Sequence, residues 1–171
     1  VQQSVSGTKP SPDDLATMKE IDWVFKESLR LYQPLPTISR RALVDVTVHG
    51  LTIPAGTALA VFPIQVHRSP KWWSEPEAFD PERFSPARAE HRSHPFAWAP
   101  FGGGAHMCLG LHFAEMQVKA VMLPLLQRCE WSVPAGYEPH YAFAPIAKPR
   151  DGLPIRINQL SQLSQLTQRN Q

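Results

Sequence analysis

Apolar residues at Leu15, Met18, Ile21, Val24, Phe25, Leu29 and Tyr32 recur at spacings of three and four, the period of one helix face. Ser11-Pro12-Asp13-Asp14 supplies the start: a capping hydroxyl, a proline suited to the first helical position, and an acid that can close a capping box. The pattern allows a break near Thr17. Gln33-Pro34-Leu35-Pro36 ends the helix, because a residue before proline is pushed out of the helical region. The period then changes. Val44, Val46 and Val48 alternate with polar residues up to His49-Gly50; Leu51 to Ile53, Pro54-Ala55-Gly56 and Thr57 to Phe62 follow. This predicts strand, turn, strand, turn, strand. Ser69 to Pro100 has no sustained period, but Trp72, Trp73, Phe79, Phe84, Phe96 and Trp98 predict that it packs. An irregular stretch of this length is usually functional or disordered. Leu111, Ala114, Met116, Val118, Val121, Met122 and Leu125 predict a long helix ending near Arg128, its last turns loosened by Pro124. Trp131 to Ile157 reads as short strands and turns. Three units follow: a frayed 1–10, a folded 11–157, and a disordered, Gln-rich tail at 158–171 that repeats Leu-Ser-Gln.

Composition narrows the class. The 171 residues suffice for one core, and 43% hydrophobic with 19% charged is ordinary for a globular protein. A net charge of +2, with no basic run interleaved with aromatics, gives no case for nucleic acid. The 18 prolines, dense between Pro70 and Pro100, predict ordered but irregular backbone. Two cysteines, Cys108 and Cys129, make no disulfide framework and point to a reducing compartment. No apolar run is long enough to span a bilayer and no signal-peptide pattern opens the chain, so the expected location is cytoplasmic.

Three short segments carry chemistry. In Phe101-Gly102-Gly103-Gly104-Ala105-His106-Met107-Cys108-Leu109-Gly110, the cysteine stands at the mouth of the following helix. The positive helix end and its free N–H groups favour a thiolate there, and glycines let the backbone approach a flat ligand closely. The same residues also suit a glycine turn around a buried structural thiol. Glu27 and Arg30, three apart on a helix, can pair; a solvated surface pair is the ordinary outcome, although Val24, Phe25 and Leu29 predict partial cover. Asp80-Pro81-Glu82-Arg83-Phe84 alone is a turn with a charge pair.

Together and in this order, the three segments resemble the cytochrome P-450 family. Glu27 and Arg30 match Glu-x-x-Arg, and Pro81-Glu82-Arg83-Phe84 matches the motif whose arginine joins that pair. Phe101, Gly104, His106, Cys108 and Gly110 match Phe-x-x-Gly-x-(Arg or His)-x-Cys-x-Gly. The resemblance runs from about Leu15 to Ile157 and looks bacterial in type between Gly103 and Ala120. It implies a mainly α fold with small β-sheets (α+β), here the C-terminal part of the cytochrome P-450 fold and incomplete. It implies non-covalent haem b, consistent with the lack of Cys-x-x-Cys-His, with Cys108 as the axial iron ligand. A thiolate in that place pushes electron density toward bound oxygen.

The resemblance assigns further roles. Gly102, Leu109 and Gly110 lie against the cofactor, the last two offering N–H groups near the sulfur, and Phe101 packs beside it. Arg40 and His106 contact haem propionates. Glu27, Arg30 and Arg83 form a mostly buried charge triad that fixes the cysteine loop. His67, in Val66-His67-Arg68-Ser69-Pro70, has a structural role, with Ser69 replacing the usual Asp. Substrate contacts fall on Leu35, Pro36, Thr37 and Ile38, and on a late turn with Phe143 and Ile146. The implied activity is insertion of one oxygen atom from O2 into a small apolar organic substrate, with electrons from a ferredoxin or flavoprotein. That donor docks on the Cys108 side, where Lys119, Arg88 and Arg92 are available.

Nothing in Val1 to Asp14 matches the long distal helix that carries the family's Thr and acidic residue, so the N-terminal half of the fold is expected to be missing. Two alternatives stand beside the enzyme. One is a truncated, non-catalytic remnant that binds haem weakly or not at all. The other is a metal site made of His106, Cys108 and His112, which is short of the four ligands that structural zinc takes.

Overall fold

A computed structural model of the chain describes residues 12–142 and 146–159. The expected N-terminal unit, most of the expected tail, Ser11 and Phe143 lie outside the described residues.

The first helical pattern is two helices, α1 (Pro12–Ala16) and α2 (Lys19–Leu31). The break falls at Thr17-Met18. Thr17 Oγ1 donates to the Asp14 carbonyl at 2.8 Å, while Met18 leaves helical geometry (φ −82°, ψ 72°). That turn sends Met18 into a small core with Leu15, Ile21 and Leu123, against which Met122 and Leu126 pack. Leu123 belongs to α4 (Leu111–Arg128), which contains Pro124. The α2 stripe differs from its period in one respect: Val24 is exposed, whereas Glu27 and Arg30 are buried.

The sheets are four antiparallel pairs. β2 (Val46–Val48) and β3 (Leu51–Ile53) form a hairpin with Val48 opposite Leu51. Its two loop residues, His49 (φ +48°) and Gly50 (φ +80°), both have positive φ, as the twist of a two-residue hairpin requires. β1 (Ile38–Arg41) pairs with β4 (Ala58–Val61), placing Arg40 opposite Leu59. β1 was not among the expected strands; Ile-Ser-Arg-Arg has no apolar alternation because the strand is mostly exposed. α3 (Pro63–His67), also unexpected, follows β4 directly. β5 (Cys129–Ser132) pairs with β8 (Arg156–Gln159), and β6 (Tyr141–Ala142) with β7 (Lys148–Pro149). β8 runs two residues past the boundary set for the tail.

Residues 69–100 hold no strand and only two short 3-10 turns, Pro81–Phe84 and Glu90–Arg92. Trp73, Phe84 and Ala97 are buried here, but Phe79 and Phe96 are exposed, so the packing expected of all the aromatics holds for part of them. Trp73, Phe84, Trp98 and Phe101 form a run of ring contacts at 5.7, 5.8 and 6.2 Å between centroids. The run crosses from this segment to the first residue of the glycine-rich loop.

Candidate functional site

Glu27 and Arg30 share one face of α2, and the irregular segment closes over them, so that Glu27, Arg30 and Arg83 are 0% exposed. Arg30 grips the Glu27 carboxylate with Nε at 2.7 Å and Nη2 at 2.9 Å. Arg83 Nε donates to the same carboxylate at 3.1 Å, and the Asp80 N–H also donates to it, at 2.8 Å. The remaining guanidinium N–H groups hold backbone. Arg30 donates to the carbonyls of His67, Pro76 and Ala78. Arg83 donates to those of Ser74, Glu75 and Ala78. Trp73 lies beside both cations, 5.2 Å from Arg30 and 6.0 Å from Arg83. In place of a strand ladder, two arginines satisfy the carbonyls of the irregular segment.

Sequence reading missed a fourth member. Glu90 accepts from Arg83 Nη1 at 2.9 Å, from Arg88 and from Ser74. Burial works against its charge, but the hydrogen bonds from Arg88, Ser74 and Arg83 win and hold its carboxyl at about 2. Seven residues past Arg83 in an aperiodic stretch, Glu90 carries no signal of spacing. Arg88 is committed to Asp80 and Glu90.

Downstream, the cysteine loop is closed by its own backbone. The Cys108 N–H donates to the Phe101 carbonyl at 3.0 Å, and the Gly102 N–H to that of Ala99 at 3.1 Å. Gly102 (φ +75°) and Gly104 (φ +69°) take left-handed backbone that other residues resist. Gly103 is extended, but a β-carbon there would meet the Phe96 ring at 2.7 Å. Phe101 is half-buried between Phe25 and Trp98. Cys108, Leu109 and His106 are exposed, and Gly110 precedes the first turn of α4. A β-carbon on Gly110 would stand 3.7 Å from the Cys108 sulfur, so the thiol lies against the helix entrance. The buried-thiol alternative therefore does not hold for Cys108. Cys129 is a partly covered free thiol at the start of β5.

Arg40 and His106 come together on one open basin of about 830 Å³, with Ser39, Arg41, Leu43, Ala58, Leu59 and Ala60. Arg41, which sequence reading did not single out, also borders the basin, and its guanidinium donates to the Gly56 carbonyl at 2.8 Å. Arg40 itself is exposed and donates only locally, to the Ser39 carbonyl. Leu35 and Thr37 are exposed, whereas Pro36 and Ile38 are half-buried. Ile38 Cδ1 is 3.7 Å from the β-carbon position of Gly102, so β1 starts against the cysteine loop. The late turn is close to the Leu35 segment: the Ala147 N–H donates to the Pro34 carbonyl at 2.9 Å, and Tyr32 stacks on Tyr141 at 5.6 Å. Ile146 is exposed there.

One expectation fails, and one alternative drops out. Lys119 is no docking charge for an electron donor: it is buried, and Glu115 at 3.2 Å and Asp22 at 3.6 Å hold it against α2. Among the described residues no three of His, Cys, Asp and Glu form a metal-binding group, so His106, Cys108 and His112 do not make one.

The donor set fits a haem. A thiol is open at one helix entrance, glycines keep side chains off the loop before it, and guanidinium groups line a basin with room for carboxylates. Among the described residues no helix is long and apolar enough to cross a membrane.

Comparison with known proteins agrees with this geometry. The family model for cytochrome P450 matches residues 1–153. The Mycobacterium tuberculosis protein named as cytochrome P450 136 is 37% identical over 145 residues, covering 84% of this chain and 29% of that protein. Thromboxane-A synthase of Sus scrofa is 38% identical over 157 residues, 86% of this chain and 28% of that one. The retinoic acid-bound cyanobacterial CYP120A1 structure superposes with a TM-score of 0.85 at 31% identity, over 91% of this chain and 36% of that one. The chain thus spans well under half the length of the relatives it matches, within a family of haem-binding monooxygenases. By motif order, fold and sequence, the chain belongs to the cytochrome P450 family.

Proposed function

We propose that this chain is the haem-holding part of a haem-thiolate monooxygenase, with Cys108 Sγ as the iron ligand. The observation that carries the reading is the exposed Cys108 thiol at the α4 entrance, on a loop closed by the Cys108–Phe101 backbone bond. Arg40 and His106 hold the propionates of haem b, with Arg41 beside them. Phe101, Gly102, Leu109 and Gly110 form the surface next to the cofactor. When bound, the haem supplies activation of O2 for insertion of one oxygen atom into a small apolar substrate, with electrons from a ferredoxin or flavoprotein. The protein's own part is positional. Backbone N–H groups at the helix entrance offer hydrogen bonds to the sulfur, and the Glu27–Arg30–Arg83 cluster anchors the segment leading into the loop. Leu35, Pro36, Thr37, Ile38 and the turn at Ile146 contribute one wall of the substrate site. An apolar substrate fits the retinoic acid held by one structural relative.

The test is the ferrous–CO spectrum of the protein loaded with haem. A red-shifted thiolate Soret band is expected, lost in Cys108→Ala and kept in Cys129→Ala. The reverse pattern refutes Cys108 as ligand. Absence of the band from the unmodified chain favours the remnant reading.

A further inference from the structure

The charge cluster does not touch the cysteine loop. None of the hydrogen bonds of Glu27, Arg30 or Arg83 ends on residues 99–110, so no direct polar contact joins the two, and the ring run from Trp73 to Phe101 joins them by packing alone. We propose that His67 is the positioning residue that ties the buried charge cluster to the cysteine loop. The inference rests on the reading of that loop as the ligand loop.

His67 closes α3 and is 0% exposed. Its carbonyl accepts from Arg30 Nη1 at 2.6 Å, and its Nε2 accepts the Ala99 N–H at 2.9 Å. The Ala99 carbonyl in turn accepts the Gly102 N–H, and the Phe101 carbonyl accepts the Cys108 N–H. A short polar path therefore leads from the cluster, through both ends of one histidine, into the loop bearing the thiol. Other polar ties to this segment are weaker or bypass the cluster. Gln33 Nε2 reaches the Pro100 carbonyl only at 3.3 Å, and Trp98 Nε1 donates to the Lys26 carbonyl.

The ring's other nitrogen supports the assignment. With Nε2 accepting, the proton sits on Nδ1, which has no partner among the described residues. Leaving a buried donor unpaired is costly, and an apolar ring would avoid it. What an apolar ring lacks is the acceptor for Ala99. Burial, and then the Arg30 charge, push the imidazole down to about 4, which keeps that acceptor free at neutral pH.

The test compares His67→Phe, which keeps a ring and loses the acceptor, with His67→Gln, whose amide oxygen reaches the Nε2 position. In the haem-free chain, His67→Phe should speed amide exchange at Ala99 and Cys108 by about fivefold to tenfold, the loss of one hydrogen bond read as local opening. His67→Gln should restore most of the protection. After haem loading, the share of thiolate band should fall in His67→Phe and recover in His67→Gln. Unchanged exchange in His67→Phe, or identical behaviour of the two variants, overturns the proposal. Should His67→Phe not fold, nitrogen NMR of the unmodified chain decides: protonated Nε2 at neutral pH overturns it, and unprotonated Nε2 coupled to the Ala99 N–H upholds it. The exchange and NMR arms need no haem, so they stand or fall separately from the ligand role of Cys108.

Discussion

Replacing Glu27 by Ala removes the acceptor of four donors at once: Arg30 Nε and Nη2, Arg83 Nε and the Asp80 N–H. Both guanidinium groups stay where they are, because five backbone carbonyls, that of Ala78 shared by both, and Glu90 still hold them, and neither has a route to water at 0% exposure. Stranding buried charge in this way costs about 3–5 kcal/mol. A single domain commonly has a total stability of about 5–15 kcal/mol, so the variant should be marginal. Urea unfolding followed by tryptophan fluorescence reads the loss directly, since Trp73 lies beside both arginines. Lys26→Ala is the control. The Lys26–Asp22 pair is on the same helix but partly exposed, and its removal should cost well under about 1 kcal/mol. A combined Glu27→Met, Arg30→Met, Arg83→Leu replacement should not restore the stability, because the backbone carbonyls held by the two arginines and the Asp80 N–H then lose their partners. A Glu27→Ala loss no larger than the Lys26→Ala loss would refute the account of a cluster held by mutual compensation.

Acid stability carries a second prediction. The folded His67 protonates at about 4 against an ordinary 6.5, so its contribution is full above pH 6.5 and declines as pH falls toward 4, by up to ~3 kcal/mol. His91, lowered by burial and then by Lys26, acts in the same sense. Glu90, depressed from 4.5 to about 2, adds a loss that begins below pH 4.5. A pH series of urea midpoints should therefore slope downward from pH 6.5 to 4, and His67→Phe should flatten that slope. Among the loop glycines, Gly104→Ala should destabilise by about 1 kcal/mol although the space around it is open, because its φ is +69°. Gly103→Ala should be limited instead by Phe96, and Phe96→Leu in the same chain should relieve it; thermal melts of the three variants check both. Arg40→Ala with His106→Ala should speed haem transfer to an acceptor protein while the thiolate band survives, and an unchanged transfer rate would count against their basin as the propionate site.

Legibility in the sequence followed burial. α2 and α4 were readable because one face of each meets the other through Ile21 and Leu123, and the pattern allowed the break near Thr17 without marking it. β1 was not readable: an exposed Ile-Ser-Arg-Arg strand has no reason to alternate. The flanking Val24, Phe25 and Leu29 predicted partial cover of Glu27 and Arg30, and only the family motif predicted their burial in a charge triad. The residues that cover them, such as Pro76 and Ala78, lie some fifty positions away and act through backbone carbonyls, which any residue type supplies. Glu90 and the ring of His67 escaped for the same reason, since their partners are set by three-dimensional closure. Lys119 misled because an isolated lysine on an otherwise apolar helix reads as surface, whereas Asp22 and Glu115 draw it inward.

The four strand pairs remain separate among the described residues, so each of the eight strands offers one side to no other strand. Charge guards several of these open sides: Arg40 and Arg41 on β1, Lys148 on β7, Arg156 on β8. The hairpin of β2 and β3, Val-Thr-Val and Leu-Thr-Ile, carries none, and Val46, Val48 and Leu51 face solvent. Unguarded apolar borders of this kind template aggregation. In a concentrated preparation, copies of the chain are expected to stack through that hairpin, and Thr47→Lys or Thr52→Lys should slow the resulting rise in light scattering.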